Sequence, residues 1–207
     1  SVTRTRKIHV PSASGPAATA MPWDAPERIN RLNGIAAVGN LSVVDVGTRL
    51  VASSPMRDPQ NQSAFNLTVS AASPGLFAAV RAELRTGALI DAAHSMRHER
   101  VAVLGPNAAE RLGITRVDQL PAITIGDDVY LVIGILDGVA RQPDLLGAVI
   151  IPEGTARRDY RLGSPGLVVV ETAIGASSLV SQQLPLALRP DNPRSLRVVS
   201  PPEPKRV

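Results

Sequence analysis

Short apolar runs bounded by Gly, Pro, Ser and Asn recur along the 207-residue chain. That rhythm belongs to strands joined by turns and brief helices. Residues 5–10 read as a strand, and residues 11–22, rich in Pro, Ser, Gly and Ala, read as loop. Asp24 is placed to cap a helix with Pro26 in its first turn; Ile29 and Leu32 share one face before Gly34 stops it. A β region over 36–52 follows, carrying Leu41, Val43 and Val44 among polar partners. Together these predict a first β-α-β unit.

Residues 53–63 hold hardly an apolar side chain and predict a surface excursion or a crossing between domains. Beyond it the texture changes. Residues 65–69 alternate as a half-buried strand, and Ser73-Pro74 predicts the start of a helix carrying Leu76, Phe77, Val80 and Leu84. A polar connection through Asp91, His94 and Arg97 leads to a strand over 100–105, then to a helix over 107–112 opened by Pro106. Strands over 122–125 and 130–136 are joined by Gly126-Asp127-Asp128, a hairpin turn. Residues 148–152 predict another strand, and a short helix begins at 152–156.

The last stretch repeats the first: a strand over 167–172, a helix over 177–188 interrupted at Pro185, and a strand over 195–199. Two β-α-β flanks thus enclose a module of different texture, which predicts an α+β fold with one sub-domain inserted into another. The boundaries fall at 1–62 for the first half of the outer unit, 63–162 for the insert and 163–207 for the second half.

Composition narrows the function. Apolar residues make up 44% of the chain, but its five aromatics (Trp23, Phe65, Phe77, Tyr130, Tyr160) are scattered singly, so the platforms that single-stranded nucleic acid needs are missing. Net charge is +4, and the basic residues are diffuse, with small groups at Arg4, Arg6 and Lys7, at Arg157, Arg158 and Arg161, and at Lys205 and Arg206. Basic ends suit segments near anionic lipid headgroups, and equally suit solvated termini. Cysteine is absent, which removes disulfides and thiolate chemistry. No run reaches the length of a membrane span and no cleavable leader opens the chain, so the stretch given is expected to be soluble.

Candidate chemistry is sparse. His94 and His98 are four apart and could share a metal on one helix face, but a third ligand is missing and a solvated loop is the alternative. No G-x-S-x-G elbow, phosphate loop or dinucleotide fingerprint occurs. Asp127 and Asp128 read as turn residues. Asn66-Leu67-Thr68 fits a glycosylation pattern by accident of strand composition. Arg157, Arg158 and Arg161 either meet an acidic partner or form a charged helix face. No catalytic residue, metal or cofactor is expected.

Residues 69–153 carry a further order. Val69-Ser70, Ser73-Pro74-Gly75-Leu76-Phe77 and Arg85-Thr86-Gly87 precede Val101-Ala102-Val103-Leu104-Gly105 and Ala108-Ala109-Glu110-Arg111-Leu112-Gly113. Ile123-Thr124-Ile125-Gly126, Tyr130 to Leu136 and Val149-Ile150-Ile151-Pro152 complete it. In that order and spacing the chain resembles the periplasmic core domain of MacB-type ABC transporter permeases, a family similar in plan to FtsX. The resemblance implies a porter-like sub-domain of two β-α-β halves with a small α/β, sabre-like sub-domain inserted between them. It implies a non-catalytic domain on the extracytoplasmic face of a bacterial cell membrane, near the membrane through both termini. Its partners would be the rest of the permease, an ATP-binding subunit, a second permease copy and an extracytoplasmic protein, with no nucleic acid. The crossings at 53–63 and 161–165 would bend, which makes Arg157, Arg158, Arg161 and Gly163 candidates for hinge or partner contact. A hydrolase and a free solute- or protein-binding module are the competing readings.

Overall fold

The computed structural model describes residues 4–9, 21–54, 64–173, 176–188 and 197–199. The predicted loop over 11–22 lies outside them up to residue 20, and the 53–63 excursion lies outside them beyond Ser54.

The fold is mixed α+β, as the sequence predicts. Its strands are β1 (Arg4–His9), β2 (Ile35–Val43), β3 (Val51–Ser54), β4 (Ala64–Phe65), β5 (Val69–Ala72), β6 (Ala82–Gly87), β7 (Val101–Leu104), β8 (Ala122–Ile125), β9 (Asp128–Val139), β10 (Val149–Pro152), β11 (Leu167–Thr172) and β12 (Arg197–Val199). They join in the order β12-β1-β11-β2-β5-β10-β7-β9-β8-β3-β4, and β9 is long enough to hold β8 along its first half and β6 along its second. The helices are α1 (Ala25–Ile29), α2 (Leu76–Ala79), α3 (Ala92–Met96), α4 (Pro106–Leu112), α5 (Glu153–Asp159) and α6 (Ser177–Leu188).

The two flanking β-α-β units interleave. β1 and β2 both run antiparallel to β11, one on each side, while β11 and β12 both run antiparallel to β1. Each unit therefore takes a strand of the other between its own two strands, a double split β-α-β arrangement. Helices α1 and α6 cover one face, where Ile29, Val38, Val168, Val170, Val180 and Leu184 form a closed apolar core. Across β5, β10, β7 and β9 the sheet is covered on both faces. Val69, Ala71, Val149 and Ile151 point to one core, and Ala72, Ala148 and Ile150 to the other. That double cover is why these strands read as continuous apolar runs. Burying one such isoleucine contributes about 1.5–3 kcal/mol.

The middle departs from the predicted elements in several places. The alternating stretch 65–69 is two strands with different partners: Phe65 pairs with Val51 at the sheet edge, while Val69 enters the centre beside Val149. Similarly, the β region over 36–52 breaks at Val43, so β3, expected to close the first half, pairs instead with β8 at the far end of the sheet. The helix predicted to reach Leu84 ends at Ala79. Arg81 turns the chain at φ +50, and Leu84 lies in β6, because the second half of β9 takes a partner there. The polar connection through Asp91 hides α3, held by a reciprocal cap in which the Asp91 carboxylate accepts from the His94 amide and His94 Nδ1 accepts from the Asp91 amide. That amide hydrogen bond also holds the Asp91 carboxyl below the usual carboxylate range. In the hairpin, the positive φ of +61 falls on Gly126, and Asp128 already belongs to β9 opposite Ile125. The turn therefore relies on glycine's freedom rather than on aspartate's tolerance.

Candidate functional site

The place where the sheet passes from the interleaved unit to its middle strands has a distinctive construction. The ladder there is short, with Leu41, Ser42 and Val43 of β2 opposite Ala72, Ala71 and Ser70 of β5. Apolar packing alone does not hold it. Each face carries a polar side-chain link, and the backbones come into direct contact.

On the α2 face, Gly39 and Gly75 lie against each other: a Cβ on Gly39 would overlap the backbone of Leu76, and one on Gly75 would overlap the Val38 carbonyl. Beside them Arg81 Nε donates to Glu171 Oε1 at 2.6 Å, the glutamate side chain being 8% exposed and the arginine 42%. Glu171 stands in β11 and Arg81 follows α2, so this ion pair spans the passage. The nearly buried carboxylate depends on it, because an unpaired buried charge is strongly disfavoured.

On the other face Asn40 of β2 is 1% exposed. Its backbone amide donates to Ser73 Oγ at 2.8 Å, and its Nδ2 donates to the Trp23 carbonyl at 3.2 Å and to Glu153 Oε2 at 2.9 Å. Glu153 opens α5. Its burial pushes its carboxyl up to about 7, against the opposing pull of the Asn40 hydrogen bond and of Arg157, and with a further push from Glu27. One turn along, the Arg157 guanidinium lies 4.5 Å from the centre of the Trp23 ring. Trp23 leads into α1, so this cation–π contact also joins α5 to the interleaved unit.

Arg158, adjacent in sequence, turns away. It donates to Asp159 through Nε at 2.6 Å and a terminal nitrogen at 3.1 Å. Asp159 also accepts from Arg100 at 2.9 Å, and Arg100 in turn reaches Asp128 at 3.0 Å. The Arg158 bond first, with Arg100 in support, holds the Asp159 carboxyl below the carboxylate range. Tyr130 and Tyr160 meet through their hydroxyls at 3.4 Å beside this network, and burial pushes the Tyr130 phenol upward. The network ties α5 to β7 and β9, all within the middle strands.

Arg161 and Gly163 lie on the return to β11. Arg161 is exposed with φ +53, and a side chain at Gly163 would meet open space. The Gly166 amide donates to Ser42 Oγ at 3.0 Å and ties this segment back to β2. Of the predicted contact residues, only Arg157 reaches across the passage; Arg158 is engaged locally, and Arg161 with Gly163 forms the connecting turn. Asn40, Glu153, Arg81 and Glu171 went unnoticed in the sequence. For Asn40 and Glu171 the signal is an isolated polar residue in an apolar strand, Asn40 after Val38-Gly39 and Glu171 after Val168-Val169-Val170; Glu153 and Arg81 carry none.

Among the described residues, no group of His, Asp and Glu is placed to hold a metal. His94 answers the Asp91 cap of α3, and His98 Nδ1 lies 2.9 Å from the Gly154 carbonyl. No helix among them is long and apolar enough to cross a membrane.

A family model described as MacB-like periplasmic core domain matches residues 2–184, well beyond the stretch 69–153 that carries the motifs. The periplasmic region of MacB from Actinobacillus actinomycetemcomitans superposes with a TM-score of 0.70 at 14% identity, over 95% of this chain and 88% of that one. The extracellular domain of the noncanonic ABC-type transporter YknZ, from Gram-positive bacteria, gives a TM-score of 0.70 at 14% identity, over 95% and 99%. A domain of a putative permease protein from Porphyromonas gingivalis gives 0.58 at 14% identity, over 98% and 91%. At such identities the structural likeness concerns the fold. A search of curated proteins finds none that matches the chain.

Proposed function

The chain belongs to the family of MacB-like periplasmic core domains, and on that premise we propose that it transmits ATP-driven motion of an ABC permease to a substrate or partner outside the membrane, without chemistry of its own. Two blocks carry this reading. One is the interleaved unit of β1, β2, β11, β12, α1 and α6; the other is the middle module from β3 to α5. They meet at the short β2–β5 ladder and are crossed by the chain at 44–50 and 160–166. The observation that carries the proposal is the seam itself: a short ladder flanked by one polar link on each face, between parts that each hold one apolar cluster of their own and share a third, in which Leu41, Leu167 and Val169 pack with Leu76 and Ile150. Packed cores move as rigid bodies, and bending concentrates where few residues must change.

Hydrolysis would sit on a separate ATP-binding subunit, and the remainder of the permease would lie next to this domain at the extracytoplasmic face of the membrane. The likeness to a periplasmic region of MacB and an extracellular domain of YknZ favours that setting.

The test is a reducible crosslink. In the assembled permease, Trp23→Cys and Arg157→Cys bridged across the seam should lower ATP turnover several-fold, with recovery on reduction. Turnover that ignores the bridge would contradict coupling through this seam.

A further inference from the structure

We propose that Glu153 is held as a neutral carboxylic acid against Asn40 and acts as a proton-sensitive latch across the seam, fastening α5 to β2 when protonated and slackening when ionised. Both hydrogens of the Asn40 amide are used, by the Trp23 carbonyl and by Glu153 Oε2, which sets the amide's orientation. Its Oδ1 is buried and has no donor among the described residues. An ionised carboxylate only accepts, so it cannot serve that oxygen; a protonated carboxyl carries one O–H donor. Set beside a primary amide, the acid accepts the amide N–H on one oxygen and returns its own O–H to the amide oxygen. One proton taken from solvent thus satisfies the orphaned acceptor and removes a charge from a partly buried site.

Burial is the largest influence on the carboxyl and Glu27 on α1 adds like charge, while the Asn40 N–H and Arg157 on α5 favour the ionised form. From the α3 side, His98 reaches the Gly154 carbonyl at 2.9 Å and the Glu99 carbonyl accepts from Thr155 Oγ1 at 2.7 Å. Strands β2, β5 and β10 bring no charged side chain to the contact. Burial prevails, and the carboxyl titrates well above the ordinary glutamate range, at about 7. With the folded value above the unfolded one, the latch contributes fully below the unfolded range and is lost as pH rises through about 7. The latch stands on the Asn40–Glu153 geometry, and the crosslink experiment tests coupling separately.

Denaturant unfolding of the 207-residue chain from about pH 5 to about pH 8.5 tests it, on the wild type, Glu153→Gln and His98→Asn. The wild-type unfolding constant should rise by roughly two orders of magnitude across that range. Glu153→Gln, whose amide reproduces both hydrogen bonds, should be flat with pH, and His98→Asn should keep the wild-type slope. A slope that survives in Glu153→Gln, or vanishes in His98→Asn, overturns the latch. Should the glutamine variant fail to fold, the carboxyl carbon resonance of Glu153 in the wild type decides: a midpoint near 7 supports the latch, and one in the ordinary carboxylate range overturns it.

Discussion

Arg157 and Arg158 are neighbours in sequence and have opposite roles in space. Arg157 reaches out of the middle module and lies over Trp23, beside the Asn40–Glu153 link, where α5 touches the interleaved unit. Arg158 faces inward to Asp159, whose other partner Arg100 binds Asp128, and all of these belong to the middle module. Successive helical residues are rotated by about 100°, so adjacent positions face different neighbours. One side of α5 therefore stiffens the module it belongs to, while the other fastens that module to its neighbour. A short helix of this kind can carry load across a seam because its base is held independently of the contact.

The contrast predicts effects of graded size. Gly39→Val should be the most severe, since its side chain would overlap the backbone of Leu76 and neither strand nor helix can withdraw alone. A loss of about 3 kcal/mol or more is expected in denaturant unfolding. Loss of cooperativity, with the two blocks unfolding in separate steps, would sharpen the account by showing that this close approach couples them. A double-mutant cycle on Trp23→Leu and Arg157→Ala should give a smaller coupling, about 0.5–1 kcal/mol. The same cycle with Arg158→Ala in place of Arg157→Ala should give a coupling near zero. Equal couplings in the two cycles would erase the distinction between the sides of α5.

The outer unit was legible at the level of elements. The strand over 167–172 and the helix over 177–188 coincide with β11 and α6, although α6 runs through Pro185 without the predicted interruption; a strand of Leu-Val-Val-Val leaves little alternative. The hairpin at Gly126 and the helix after Pro106 were equally clear from turn chemistry and a proline at the first helical position. The middle was less so. Phe65 and Val69 share an alternating pattern yet join different strands, because pairing partners are far away in sequence and periodicity reports only exposure. Leu84 fits the helical spacing of Leu76, Phe77 and Val80, but the demand of β9 for an edge partner overrides that spacing. The seam was hidden for a related reason. Asn40, Glu153, Arg81 and Glu171 gain their meaning from partners up to 113 positions away; local sequence marks Asn40 and Glu171 as polar residues in apolar strands and says nothing of those partners. What the motifs did convey was the family, and with it the expectation of two parts meeting somewhere.

The absence of native cysteine makes the central claim directly measurable by spin labelling. Labels at Arg31→Cys and Gln119→Cys report the separation of the two blocks, and labels at Arg97→Cys and Gln119→Cys report the middle module alone; all three positions are exposed. Pulsed dipolar distances in the assembled permease, with and without ATP, should show the inter-block separation shifting while the distance within the module stays fixed. An inter-block distance unchanged by nucleotide would contradict transmission through this seam.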